Sequence, residues 1–279
     1  MVTKYDYGKS EVNACLSVLV ELMTILGEYR DSIVLVGGWI PYFLLENSRK
    51  EHVGSLDIDI ALDFQKISNS SYRTILQMLK NKGYQKGDQQ PFIYYRTIKN
   101  EEGRDVTIEI DLLAGEYGGT SKNHRTQLIQ DVRARKVRGC DLVFEQYRSL
   151  RISATMPDGS INEVTVKVAD IILFLVMKGI SIWERYKEKD AYDIYFTILN
   201  YPGGIQELVK IFKPVRSHKL VKEGLGKIKA KFKDVNSIGP AWITIFQDTG
   251  DDEEKELIKR DAYERINTFI NKLGIKEYK

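Results

Sequence analysis

The chain has 279 residues, 43% hydrophobic and 29% charged, a balance that suits a globular protein with an ordinary core and excludes a disordered or fibrous one. No apolar run approaches the roughly 20 residues that span a bilayer. Met1-Val2-Thr3-Lys4-Tyr5-Asp6-Tyr7 lacks the charged-then-apolar order of a secretion signal, and Cys15 and Cys140 are too few for a disulfide framework, so a cytoplasmic protein with no membrane partner is expected.

In chain order, Val12, Cys15, Leu16, Leu19, Leu22, Met23 and Leu26 recur at three-and-four spacing and predict an amphipathic helix over 11–29. A buried strand over 32–36 follows, broken by Gly37-Gly38, and 39–45 reads as a short helix with Pro41 near its first turn. A second strand is expected at 55–62, a helix at 72–81 ending at Gly83, and a hairpin of 91–98 with 105–113 around Asn100 and Gly103. Further short strands are expected at 142–144, 151–154 and 164–166, with Pro157-Asp158-Gly159 as a turn. After Lys167 the period becomes helical, over 168–178 and 184–199, with Tyr201-Pro202-Gly203-Gly204 as a stop. Helices are then expected at 206–212, 220–232, 240–246 and 252–273. The pattern predicts an α/β (α+β) fold with a mixed twisted sheet flanked by helices over 1–167, and a helical C-terminal domain over 168–279.

The chemistry concentrates at Ser55-Leu56-Asp57-Ile58-Asp59-Ile60, where alternation puts Asp57 and Asp59 on one strand face. In Thr107-Ile108-Glu109-Ile110-Asp111-Leu112 the same alternation offers Asp111 as a third carboxylate, if the two strands are neighbours in register. Three such groups suit Mg²⁺, which takes a few carboxylates together with phosphates and water. Without a cation they repel one another. Taken alone, Asp57 and Asp59 also fit the solvated face of an edge strand. Gly37-Gly38, leading into a helix, could present backbone N–H groups to a phosphate.

Gly37-Gly38, the pair Asp57 and Asp59, and the later Asp111 resemble the pattern of the nucleotidyltransferases related to DNA polymerase beta. The segments Asp170-Ile171-Ile172-Leu173-Phe174-Leu175-Val176-Met177-Lys178 and Arg185-Tyr186-Lys187-Glu188-Lys189-Asp190-Ala191-Tyr192-Asp193-Ile194 narrow the likeness. They are similar to the AbiEii and MenT branch, the nucleotidyltransferase toxins of type IV toxin-antitoxin and phage-defence systems. The likeness runs over about 34–198 and more loosely through the helical tail. Family members often carry an arginine before the paired carboxylates. Here the approach is Glu51-His52-Val53-Gly54-Ser55-Leu56, which leaves Arg49, Lys50 or His52 to take that place.

The resemblance implies transfer of a nucleoside monophosphate from an NTP to an acceptor, with release of pyrophosphate. It implies two Mg²⁺ ions held by Asp57, Asp59 and Asp111, phosphates held by Gly37, Gly38 and Ser55, and Lys178 as a triphosphate contact. Asp190 joins the catalytic set, and Arg185, Lys189 and Asp193 the nucleotide-binding set. Arg185, Lys189 and Asp193 fall on one helix side by 3.6-residue spacing and Asp190 lies off that line, leaving open which aspartate faces the active site. Snorkelling of Lys178 and a solvated, salt-bridged helix face are the bland alternatives.

The formal net charge is only +3, yet basic residues bunch at Lys122, Arg125, Arg133, Arg135, Lys136 and Arg138, and again from Lys210, Lys213, Arg216, His218, Lys219 and Lys222 to Lys227, Lys229, Lys231 and Lys233, beside Phe212 and Phe232. Such surfaces attract phosphate backbones, so RNA, with the 3′ end of tRNA as acceptor, is the expected partner, together with a cognate antitoxin. Nucleotidylation of a protein or small molecule, or a catalytically silent nucleotide-binding or RNA-binding module, are the competing functions. His52, His124 and His218 have no metal-ligand spacing, and the long phosphate loop ending in Gly-Lys-Ser/Thr is absent.

Overall fold

The computed structural model describes residues 2–45, 52–67, 74–116 and 125–278, so Arg49, Lys50, Lys122, His124 and the first two positions of the helix expected at 72–81 lie outside the described residues. The chain divides into two units. Tyr7–Ile40 with Gly54–Asp170 carry the sheet, and Met1–Asp6, Pro41–Val53 and Ile171–Lys279 form the other. Among the described residues no helix is long and apolar enough to cross a membrane.

In the sheet unit, the apolar stripe at the N-terminus becomes helix α1 (Lys9–Ile25), which packs across strands of the sheet. The rest of the helix expected to 29 is a 3₁₀ turn, Gly27–Ser32, that delivers the chain into β1 (Ile33–Val36). All four β1 residues are buried, as a central strand demands. The short helix α2 (Trp39–Leu44) follows. In β2 (Asp57–Leu62) the alternation holds at the start: Ile58 and Ile60 are fully buried, while Asp57 and Asp59 are half-buried. Helix α3 (Ile75–Asn81) opens with a reciprocal capping box between Thr74 and Gln77.

The strands β3 (Gln85–Lys86), β4 (Ile93–Lys99), β5 (Asp105–Ala114), β8 (Tyr147–Thr155) and β9 (Ile161–Ala169) complete a path ordered β3-β4-β5-β2-β1-β9-β8. The pairings β2–β5 and β1–β9 are parallel, and β1–β2, β4–β5 and β8–β9 antiparallel, which makes the sheet mixed. Asn100 builds the expected hairpin turn by accepting the N–H groups of Glu102 and Arg104 on its Oδ1. Two further strands, β6 (Thr126–Ile129) and β7 (Val132–Lys136), form a hairpin whose second strand runs parallel to the end of β5. The strand expected at 142–144 is instead a 3₁₀ turn, Cys140–Phe144, entered through the left-handed Gly139. A three-residue apolar run carries no period, so burial of Val143 is satisfied equally well by a turn.

The second unit holds α4 (Ile171–Glu184), α5 (Glu188–Asn200), α6 (Gly204–Phe212), α7 (Lys219–Lys231), α8 (Ile238–Phe246) and α9 (Asp252–Lys272). Gly179, just past the helix end expected at 178, lies well inside α4. There it meets Gly224 of α7: a Cβ on Gly224 would sit 2.6 Å from the Val176 carbonyl oxygen, and one on Gly179 would collide with Gly224 backbone. Two bare backbones let these helices cross closely. Gly179→Ala should therefore cost about 1–3 kcal/mol or more by overpacking, read as a lowered urea midpoint at unchanged slope.

The basic tract of 210–233 is not one open face. Phe212 and Phe232 are fully buried, and Lys227 is buried against Glu223, 2.9 Å away, with its ammonium over the Tyr278 ring. Lys229 donates to Asn271 and to the Ile275 carbonyl, and Lys231 lies over the rings of Trp183, Tyr186 and Trp242. Lys213, Arg216, Lys219, Lys222 and Lys233 remain exposed.

Candidate active site

The parallel pairing of β2 with β5 decides the geometry of the acidic cluster. Asp59 lies opposite Asp111 and Asp57 opposite Glu109, so neighbouring strands place these four carboxylates on one sheet face. Since β2 lies between β1 and β5, it is a central strand, and the solvated-edge account of Asp57 and Asp59 does not apply. Ser55, buried, donates its hydroxyl to Asp57 Oδ1. The Asp57 carbonyl accepts the Trp39 indole N–H at 3.0 Å, fixing the start of β2.

Gly37 contributes shape. Its φ is +77°, and a Cβ there would collide with the Asp59 carboxylate, so the turn after β1 needs glycine on both counts. Gly38 is buried. Helix α2 has only six residues, so the dipole expected to assist a phosphate at this turn is slight.

Asp111 is 7% exposed, and its two oxygens differ: Oδ2 accepts from Arg135 Nη2 at 2.5 Å, whereas Oδ1 is buried with no hydrogen-bond partner. Burial, and then the charge of Asp59, push the Asp111 carboxyl up to about 8, against the pull of Arg135. Among the described residues, no three His, Cys, Asp or Glu side chains already form a cluster able to hold a metal ion. The orphaned Asp111 oxygen is compatible with an oxygen-ligated divalent cation.

The pH consequence has a definite sign. In the metal-free protein the folded state keeps the Asp111 proton up to about pH 8, whereas the unfolded chain gives it up near 3.8. Stability from this group is therefore present below the lower value and lost as pH rises through the higher one, at no more than about 1.4 kcal/mol per pH unit. Urea unfolding of wild type and Asp111→Asn in chelator from pH 5 to 9 should show the downward slope in wild type and a flatter one in the variant.

In the helical unit, the other predicted residues form a buried ion network. Lys178, mid-helix in α4, places Nζ 2.6 Å from Asp190 Oδ1 and 2.8 Å from Asp193 Oδ2. Lys189 bridges both oxygens of Asp193 at 2.9 and 3.1 Å, and Arg185 takes Asp190 through Nε at 2.9 Å and Nη2 at 3.1 Å. Both aspartates are fully buried and both face Lys178. Lys178 is buried and doubly paired, so it does not simply snorkel to water.

Arg185 does not share a helical line with Lys189 and Asp193, because α5 begins only at Glu188 and Arg185 belongs to the link before it. His52, considered for a free phosphate contact, is instead buried, with Nε2 3.2 Å from Asp193 Oδ1 and its ring against Tyr192 and Phe196. Burial lowers its pKa, with the Asp193 hydrogen bond opposing. Two residues at these clusters escaped the sequence reading of the site: His52 as a partner of Asp193, and Arg135 as the partner of Asp111. The alternation Val132-Arg133-Ala134-Arg135 was the available signal for the second, since it marks a strand able to lie beside β5.

No family model and no curated protein matches the chain. Among solved structures it is similar to a candidate nucleotidyltransferase from H. pylori, at 16% identity and a TM-score of 0.40, over 92% of this chain and 97% of that one.

Proposed function

We propose that the sheet unit is the catalytic part of a Mg²⁺-dependent nucleotidyltransferase, moving a nucleoside monophosphate from an NTP to an acceptor hydroxyl and releasing pyrophosphate. The observation that carries this reading is the register of β2 on β5, which brings Asp111 beside Asp59 on one face, with a buried oxygen still lacking a partner. Asp57, Asp59 and Asp111 would hold two Mg²⁺ ions, which when bound supply charge neutralisation at the phosphates and activation of the acceptor hydroxyl. The chain's own groups do the positioning on which phosphoryl transfer depends. Ser55 fixes the Asp57 carboxylate through its hydroxyl, Trp39 anchors the strand end, and Gly37 leaves Asp59 its room.

We assign nucleotide phosphate contacts in the helical unit to Arg185, whose side chain is 47% exposed. Lys178 and Lys189 stand behind it and keep Asp190 and Asp193 ionised. For the acceptor we propose RNA, with the 3′ end of tRNA as the favoured case and growth inhibition, countered by an antitoxin, as the biological role. Supporting this are Arg125 and Arg133, exposed on the hairpin that adjoins β5, and the open part of the second basic tract.

The test is a screen of each labelled NTP with Mg²⁺ or chelator against total RNA, total protein and small-molecule acceptors. Label on RNA, dependent on Mg²⁺, is expected. Label confined to protein would replace the RNA acceptor, and binding of NTP without pyrophosphate release over the whole panel would reduce the chain to a silent module.

A further inference from the structure

Strand β7 lies parallel to β5, with Arg135 opposite Leu113, and so sets a guanidinium two residues along from Asp111. The resulting ion pair is only half made. Nη2 reaches Asp111 Oδ2 at 2.5 Å, but Asp111 Oδ1 and Arg135 Nε are both buried and unpartnered, so the two-pronged arrangement natural to arginine and carboxylate is not formed. The guanidinium also lies 5.6 Å from the centre of the Phe92 ring. A partly buried pair with a missing hydrogen bond on each side is poor mortar for a fold, since each unmet polar atom carries its own cost. It is a good place-holder, because little is lost when a better cation arrives.

We propose that Arg135 is a displaceable cation at the acidic site: it donates to Asp111 in the metal-free protein, leaves that side chain to a divalent cation whose arrival also releases any proton held there, and turns its guanidinium to the phosphates of the nucleotide. This rests on the reading of Asp57, Asp59 and Asp111 as the cation site. A metal arriving alone must compete with a tethered positive charge. Nucleotide phosphates draw that charge away, so metal and nucleotide assist each other's binding, and by linkage they do so equally. Arg135 is thus a binding residue whose removal moves two affinities in opposite directions.

The experiment is a calorimetric titration of wild type, Arg135→Gln and Asp59→Asn with Mn²⁺ alone, then with a non-hydrolysable nucleoside triphosphate at saturating Mg²⁺. Arg135→Gln should bind Mn²⁺ about tenfold more tightly than wild type and the nucleotide about tenfold more weakly. Metal affinity unchanged or weakened in Arg135→Gln, while Asp59→Asn loses metal, would overturn the proposal and leave Arg135 as structure. Equal metal binding by wild type and Asp59→Asn would remove the cation site itself, and the proposal with it. If Arg135→Gln does not fold, Arg135→Met serves: it keeps the apolar stem without the charge, and the same gain in metal affinity is expected, with no gain counting against the idea.

Discussion

Asp59→Ala should reduce nucleotide transfer by about 10³-fold or more, equivalent to roughly 4 kcal/mol of barrier, while leaving the metal-free protein at least as stable as wild type. The two halves of this expectation have one cause. Asp59 is half-buried on a central strand, directly beside Asp111, and its charge is one of the forces that keep the Asp111 carboxyl protonated. Removing it takes away a cation ligand and also a repulsion. The Asp111 carboxyl should then fall back toward the ordinary range, with Arg135 opposed by less negative charge. Pyrophosphate release under saturating NTP and Mg²⁺ reads the first half, and thermal unfolding in chelator reads the second. A variant that loses activity because it unfolds would show that the Asp59 carboxylate holds the strand rather than a cation.

How much of this site was legible follows from whether each signal is local. Asp57, Ile58, Asp59 and Ile60 declare a strand with one acidic face within four residues, because a period of two needs no distant partner. The placement of Asp111 needed more: a parallel pairing of β2 with β5 across more than forty residues, and a register in which a slip of one position would have sent Asp111 through the other face. Alternation nominated the residue, and only the fold could seat it.

Arg135 shows the opposite outcome. Its neighbours read as a basic surface because the charges are conspicuous, yet Val132 and Ala134 between them are buried, and the segment is a strand. In the helical unit, Lys178 was expected at the very end of its helix, with Gly179 just beyond it. The glycine serves a crossing with Gly224 instead, an interaction between helices that the sequence of one helix does not record. Arg185 was misplaced for a related reason, since a helical phase was carried three residues beyond the start of α5. His52 could not have been paired with Asp193 by any spacing rule, 141 positions apart.

Asp193→Ala is expected to destabilise the helical unit by about 3–5 kcal/mol, the cost of leaving buried charge without its partner. Asp193 is fully buried and receives Lys178, Lys189 and His52, so its loss strips Lys189 of the Asp193 carboxylate and leaves Lys178 with Asp190 as its carboxylate partner. The pH window in which this difference appears follows from the directions of the shifts. Burial alone would raise both Asp190 and Asp193, but Lys178 with Arg185 or Lys189 holds them below 3.8, so their contribution is present above that value and lost as pH falls through the lower folded one. Lys178 is pulled down by burial and raised further by the two carboxylates, so its contribution is present below 10.5 and lost as pH rises through the higher folded value. His52 acts on the acid side alone: burial lowers it from 6.5, the unfolded chain takes up the proton first, and stability falls as pH drops below that value. The wild-type minus Asp193→Ala difference in urea unfolding should therefore be flat from about pH 7 to 10, shrink above it as Lys178 titrates, and shrink in acid only once Asp193 takes up its proton below 3.8, because without the Asp193 hydrogen bond His52 costs the variant more than wild type in between. A flat difference below about 1 kcal/mol, with transfer activity abolished, would instead place Asp193 in the chemistry and not in the scaffold.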